Sequence, residues 1–132
     1  VVSALQRGFP TVPGELIRGA VDTVERFQGQ ERDVIFVSYA LGDVDAIREE
    51  EEFLLGFNRF NVAISRARAK VVVLASAQVV EHLSDDVTTL RGSKLLKLYT
   101  NSFTNCERGM ALPYRDRNGD EQEVSGQFRW RE

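Results

Sequence analysis

The sequence predicts an α/β domain, a layer of mainly parallel strands covered by helices, and three observations carry that prediction. Residues 34–41 (VIFVSYAL) are almost continuously apolar and rich in β-branched and aromatic side chains, as a strand buried on both faces must be. Residues 71–75 (VVVLA) form a second segment of the same kind. Between them a helical pattern runs from about Asn58 to Ala69, and strand–helix alternation of this sort produces parallel pairing through a crossover.

The remaining elements follow in order. Residues 1–6 read as the middle of an apolar helix, with no capping residue ahead of them. Residues 20–24 read as a short, mixed strand. Six acidic residues and one basic residue, Arg48, lie between Gly42 and Glu52, which predicts a solvated loop or a helix start, with a partner-docking loop as the alternative. Helices are expected at 78–83 and 88–103, the second with Leu90, Leu95, Leu98 and Tyr99 as its apolar members. Beyond Pro113 the composition turns polar. Asn118-Gly119 is a strong turn signal, but its flanks YRDR and DEQE lack apolar alternation, so residues 115–132 read as a weakly ordered hairpin or a tail.

Composition narrows the function. With 132 residues, 42% apolar and 28% charged, the chain is an ordinary globular domain. A net charge of −3 excludes coating of nucleic acid by bulk charge, while leaving room for a local basic patch. The single Cys106 excludes an internal disulfide and a Cys-rich zinc site, and it suits a reducing, intracellular compartment. No apolar run is long enough to span a membrane, and the first residues lack the pattern of a secretion signal. The chain opens on Val1 and has its only methionine at position 110, so it reads as a piece of a longer protein: residues 1–105 a partial domain, residues 106–132 a C-terminal extension.

The stretch FNRFNVAISRARAK (57–70) holds four cationic side chains. On one continuous helix Phe57, Phe60, Ile64 and Ala67 share the stripe that packs on the sheet, and Arg59 and Arg66 stand nearly in line, about 10 Å apart along the axis. Arg68 points to the opposite side, beside Asn61 and Ser65. Such arginines are either plain solvated positions or groups that bind phosphate bidentately. Upstream, VDTVERFQGQERDVIFVSY (21–39) places a Gln28-Gly29-Gln30-Glu31 turn before the buried strand. Gly29 permits close backbone approach to a ligand, and the Thr23 hydroxyl and Gln28 amide can bond phosphate or sugar oxygens.

These two stretches, in this order and with this strand between them, resemble motifs V and VI of superfamily 1 helicases, in the branch that includes the nonsense-mediated-decay helicase. The resemblance covers residues 21–76. It implies a three-layer RecA-like fold of P-loop NTPase type and an ATP-dependent, nucleic-acid-translocating enzyme. It implies that Arg66 is the finger that reaches the γ-phosphate of ATP, that Glu31 lies beside the nucleotide and its ribose, and that Gly29 lies close to the phosphates. It implies further that Thr23 and Gln28 belong to the path of the bound strand, and that Arg59 and Arg68 pair with acidic groups. The cofactor implied is ATP with Mg2+, and the partners are an N-terminal RecA-like domain of the same protein and single-stranded DNA or RNA. The phosphate loop, the magnesium-binding acidic motif and the glutamine sensor are absent from this sequence, so the chain is expected to hold half a cleft and to be inactive alone. A non-catalytic module that binds nucleic acid or protein on the same fold is the alternative. His82 and Cys106 read as structural; Phe128 and Trp130 read as packing residues, with base stacking as the other option.

Overall fold

The computed structural model describes residues 1–27, 29–116 and 118–132. Two short helices, α1 (Val2–Gly8) and α2 (Gly14–Ala20), pack on each other at the start. No side-chain cap begins α1, and α2 starts after Pro13 and buries Ile17. The strand expected at 20–24 does not form. Ala20 closes α2, and the Thr23 carbonyl then accepts from the amides of Arg26 and Phe27, at 3.2 and 3.1 Å, so the chain turns instead of extending.

The two buried segments do pair, in parallel, as β1 (Arg32–Ser38) and β2 (Ala67–Leu74), with Ile35 opposite Val71 and Val37 opposite Val73. The second strand begins at Ala67, inside the stretch read as helix. ARAK favours helix by propensity, but the opening backbone of β1 needs hydrogen-bond partners. The Arg32 amide donates to the Arg66 carbonyl at 3.0 Å, and strand pairing takes over from there. Tertiary pairing overrides local preference.

Among the described residues five further helices fill the rest of this layer. The crossover contains α3 (Val44–Glu49), α4 (Glu51–Leu55) and α5 (Phe57–Ser65); α6 (Ala77–Glu81) and α7 (Val87–Leu98) follow β2, and α7 runs on into a π-helical turn, Tyr99–Phe103. Caps fix the starts of three of them: Asp43 accepts from the Ala46 amide, Ser76 from Val79 and Asp86 from Thr89. Ile47, Leu55, Phe60, Val79 and Leu96 form the buried core, with Tyr39, Ile64, Val73 and Tyr99 packed around it. Phe60 meets Tyr99 edge-on at 5.6 Å between centroids. On α7 the buried face is Thr89, Gly92, Ser93 and Leu96, small residues that allow close approach, whereas Leu90 and Leu98 are exposed.

The core packs on the Val73 face of the sheet. On the other face Val34, Phe36 and Leu74 stay exposed, Phe36 by 69%. Parallel sheets are ordinarily covered on both faces; among the described residues this one has two strands, and the buried core lies on one side of it.

A second sheet stands apart, a hairpin of β3 (Cys106–Arg115) and β4 (Glu121–Trp130). Its strands begin at Cys106, well before residue 115, because the alternation lies further from the turn than the flanks YRDR and DEQE. Cross-strand register puts Met110, Leu112, Tyr114, Val124, Phe128 and Trp130 on one face. Glu107 opposite Arg129 and Arg115 opposite Glu121 lie on the other face, each pair close enough to bridge. At the tip Asp116 Oδ1 accepts from the amides of Asn118 and Asp120, and Gly119 takes φ +90°.

Candidate functional site

The arginine cluster is divided by the end of α5. The Ser65 hydroxyl donates to the Val62 carbonyl at 3.0 Å, the kind of local bond that loosens a last turn. Arg66 is the C-cap, and Ala67 already belongs to β2. Two expectations that assumed a continuous helix are therefore corrected. Ala67 is not on the packing stripe with Phe60 and Ile64, and Arg68 shares no helical face with Asn61 and Ser65, since it sits on a strand. The side chain of Phe57 lies outside what is described.

The three arginines consequently meet different surroundings. Arg59, on the first turn of α5, pairs with Glu25 at 2.9 Å and lies over the Phe53 ring at 3.3 Å from its centroid. Arg68 pairs with Asp33 at 3.1 Å. Both match the expectation of acidic partners. Arg66 has none: its Nε is buried and, among the described residues, is the one buried side-chain nitrogen or oxygen without a hydrogen-bond partner.

The upstream motif comes to the same place. Gly29 adopts φ +82° with open space where a side chain would stand, a backbone state that other residues enter at a cost. Glu31 directly precedes β1 and is exposed, and its carboxylate has no ion-pair partner among the described residues. Arg66 directly precedes β2, and the Arg32–Arg66 backbone bond ties the two approaches together, so Glu31 and Arg66 share the amino end of the sheet. Thr23 lies in the preceding segment, its amide bonded to Asp22 Oδ1 at 2.9 Å. Gln28 lies outside the described residues. Open α/β sheets bind their own ligands beyond the carboxyl ends of their strands; these residues gather at the opposite end.

Glu25 and Phe53 were not legible as site neighbours, because nothing in linear order announces that a turn residue and an α4 residue converge on Arg59. The Glu25 carboxyl is held below its ordinary value by its own backbone N–H, by the Thr23 hydroxyl and by Arg59. His82 and Ser84 both bond Glu51, the histidine Nε2 to Oε2 at 2.5 Å and the serine Oγ to Oε1 at 2.7 Å. Lys97 Nζ donates to the His82 carbonyl at 2.6 Å. No bond joins serine to histidine, so this network ties α4, α6 and α7 together and is not a nucleophile–base pair. Among the described residues no group of three His, Cys, Asp or Glu side chains could hold a metal ion.

Comparison with known proteins identifies the family of the chain. A family model described as an AAA domain matches residues 3–78. "Probable RNA helicase armi" of Drosophila melanogaster is 36% identical over 70 residues, covering 50% of this chain and 6% of its own length. "RNA helicase Mov10l1" of Homo sapiens is 42% identical over 64 residues, 46% of this chain and 5% of its own. "Helicase sen1" of Schizosaccharomyces pombe is 33% identical over 85 residues, 63% of this chain and 5% of its own. The chain thus spans a small part of each of these proteins. No solved structure matches it. The parallel α/β layer and the family match define a P-loop-type domain of helicase kind. The chain belongs to the AAA domain family, among the superfamily 1 helicases and on the branch that resembles the nonsense-mediated-decay helicase.

Proposed function

We propose that this domain forms one wall of an ATP cleft in a nucleic-acid helicase or translocase and supplies its arginine finger, Arg66. One observation carries the reading: Arg66 Nε is buried without an acceptor. A buried donor left unpaired costs on the order of 1–3 kcal/mol, so an anion that accepts from it would recover that cost. Glu31 and Gly29 at the same sheet end suit the ribose and phosphates of one nucleotide. Their location at the amino ends of the strands suits a nucleotide carried by a facing domain.

In this reading an N-terminal RecA-like domain holds the phosphate loop and the Mg2+ ligands, and the exposed Val34–Phe36 face of the sheet receives the third layer of a RecA-like fold. Bound Mg2+ would neutralise charge on the phosphates; Arg66 adds a planar, always-charged donor where charge develops in transfer. Thr23 and Gln28 contact the backbone of single-stranded DNA or RNA, by phosphate-directed bonds that need no broad basic surface. The carboxylate Glu31 and the finger Arg66 together favour this over a pure binding module, which has use for neither. Such an enzyme works inside the cell, where ATP is found.

The test is Arg66→Ala in the full-length protein. ATP turnover should fall by about 10³-fold or more, the usual effect of removing a finger. Near-normal turnover would refute the assignment.

A further inference from the structure

We propose that the outer side of α7 is a docking groove for an acidic amphipathic helix of a partner protein. The groove is independent of the cleft reading. None of its residues belongs to the candidate site, and all lie beyond the matched residues 3–78. It has a volume of about 450 Å³ and two kinds of lining. Leu83, Leu90 and Leu98 are its aliphatic part, and Arg91, Lys94 and Lys97 are its cations. No acidic and no aromatic side chain lines it.

The sequence puts both sets on one side of α7. Thr89, Gly92, Ser93 and Leu96 are the buried positions of this helix. At about 100° per residue Arg91, Lys94 and Leu98 fall on the opposite side, with Leu90 and Lys97 at its margins. Leu83 joins from the loop ahead of α7, and its two neighbours hold it outward. His82 and Ser84 are both bonded to Glu51, and Leu83 between them is 72% exposed, against 39% for Leu90 and 46% for Leu98. Lys97 is fixed as well, by its bond to the His82 carbonyl. An apolar group and a cation held in place before binding lower the ordering cost of a complex.

Charge chooses the partner. Among the described residues none of the three cations is in an ion pair. Exposed leucines scattered singly need no partner, but three around one cationic groove mark an interaction surface. Arg91 and Lys97 stand about 9 Å apart along the axis, too far for one small anion to bridge. A helix with apolar residues at i, i+4 and i+7 and carboxylates beside them meets both sets at once. The same arrangement selects against basic partners. Single-stranded nucleic acid would satisfy the cations, but it would find no aromatic ring to stack on and would leave three leucines wet.

The experiment is a selection on the full-length protein from displayed random peptides about 16 residues long, roughly four helical turns. The selected peptides should be net acidic, with apolar residues at helical spacing. Leu90→Ser and Lys94→Glu should each weaken their binding by about ten-fold or more. Both positions are exposed, so neither change should disturb folding. Salt raised to about 1 M, where the screening length is about 3 Å, should weaken binding too. If Leu90→Ser melts below the parent, a second selection decides, on the protein carrying Arg91→Glu with Lys94→Glu. Basic peptides from it support the groove, and acidic peptides again overturn it. An empty first selection, peptides without acidic bias, or binding unchanged in Leu90→Ser and Lys94→Glu also overturns it. Oligo-uridylate binding that falls in Lys94→Glu and not in Leu90→Ser would assign this side of α7 to nucleic acid and overturn the proposal.

Discussion

The two sheets of this chain are held together in opposite ways. The parallel pair β1–β2 has a poor claim to stability by itself: two strands, no shared turn, and one face still exposed. It is held by what packs on it, the core of Ile47, Leu55, Phe60, Val79 and Leu96. The hairpin β3–β4 has ten residues in each strand, a tight turn and an unbroken ladder, yet none of its side chains is fully buried. It is tethered at its base, where the Asn105 amide donates to the Trp130 carbonyl at 3.0 Å and Arg129 to the Thr100 carbonyl at 3.2 Å. One sheet draws its stability from tertiary burial and the other from local pairing, and the candidate site stands on the first.

Truncation of a core aromatic should therefore have the largest effect on stability. Phe60→Ala removes a ring 3% exposed from the junction of α5, α7 and the sheet, and should destabilise by about 3–5 kcal/mol in urea titration. Phe128 in the hairpin is 51% exposed, and Phe128→Ala should cost about 1 kcal/mol or less. Equal losses from the two would break the contrast, because the hairpin would then be part of the same cooperative core.

The same contrast explains what could be read in advance. Residues 34–41 and 71–75 announced themselves as buried strands because continuous apolar runs survive without knowledge of their partners. The glycine turn and Arg66 were legible because the motifs are linear. The end of α5 was not, since ARAK favours helix and only pairing with Arg32 overrides it. Nor was the clamp on Arg59, whose partners Glu25 and Phe53 arrive from two other segments. In the hairpin the alternation Met110–Leu112–Tyr114 and Val124–Phe128–Trp130 is present in the sequence, but it is interrupted by Gly126 and masked by charged flanks at the turn.

An intermediate effect is expected from acid. Glu51 is held below its ordinary value of 4.5, first by its bond to His82 and then by Ser84. Asp86 is held below 3.8, first by the Thr89 amide and then by its hydroxyl. For depressed carboxyls the unfolded chain takes up protons first as pH falls. Their contribution is thus complete above the ordinary carboxylate range and is lost as pH drops through it toward the lower folded values. The melting temperature should accordingly decline below about pH 4.5, and Glu51→Gln should flatten that decline by removing one of the titrating groups. An acid slope unchanged in Glu51→Gln would place the sensitivity elsewhere than the network joining α4, α6 and α7.

The smallest effect should come from the hairpin tip, and it separates the two sheets most cleanly. Gly119 adopts φ +90°, and a Cβ there would meet nothing within 4 Å, so Gly119→Ala tests backbone strain without a steric clash. Forcing an L-residue into that region costs about 1 kcal/mol. If the hairpin opens as its own unit, amide exchange across β3 and β4 should accelerate by about five-fold, as 1 kcal/mol dictates. Amides of β1 and β2 should keep the parent's rates, because the tip contributes nothing to their burial. Acceleration of both sheets together would mean that the hairpin and the core open as one unit, and that the base tethers at Asn105 and Arg129 transmit far more than their few hydrogen bonds imply.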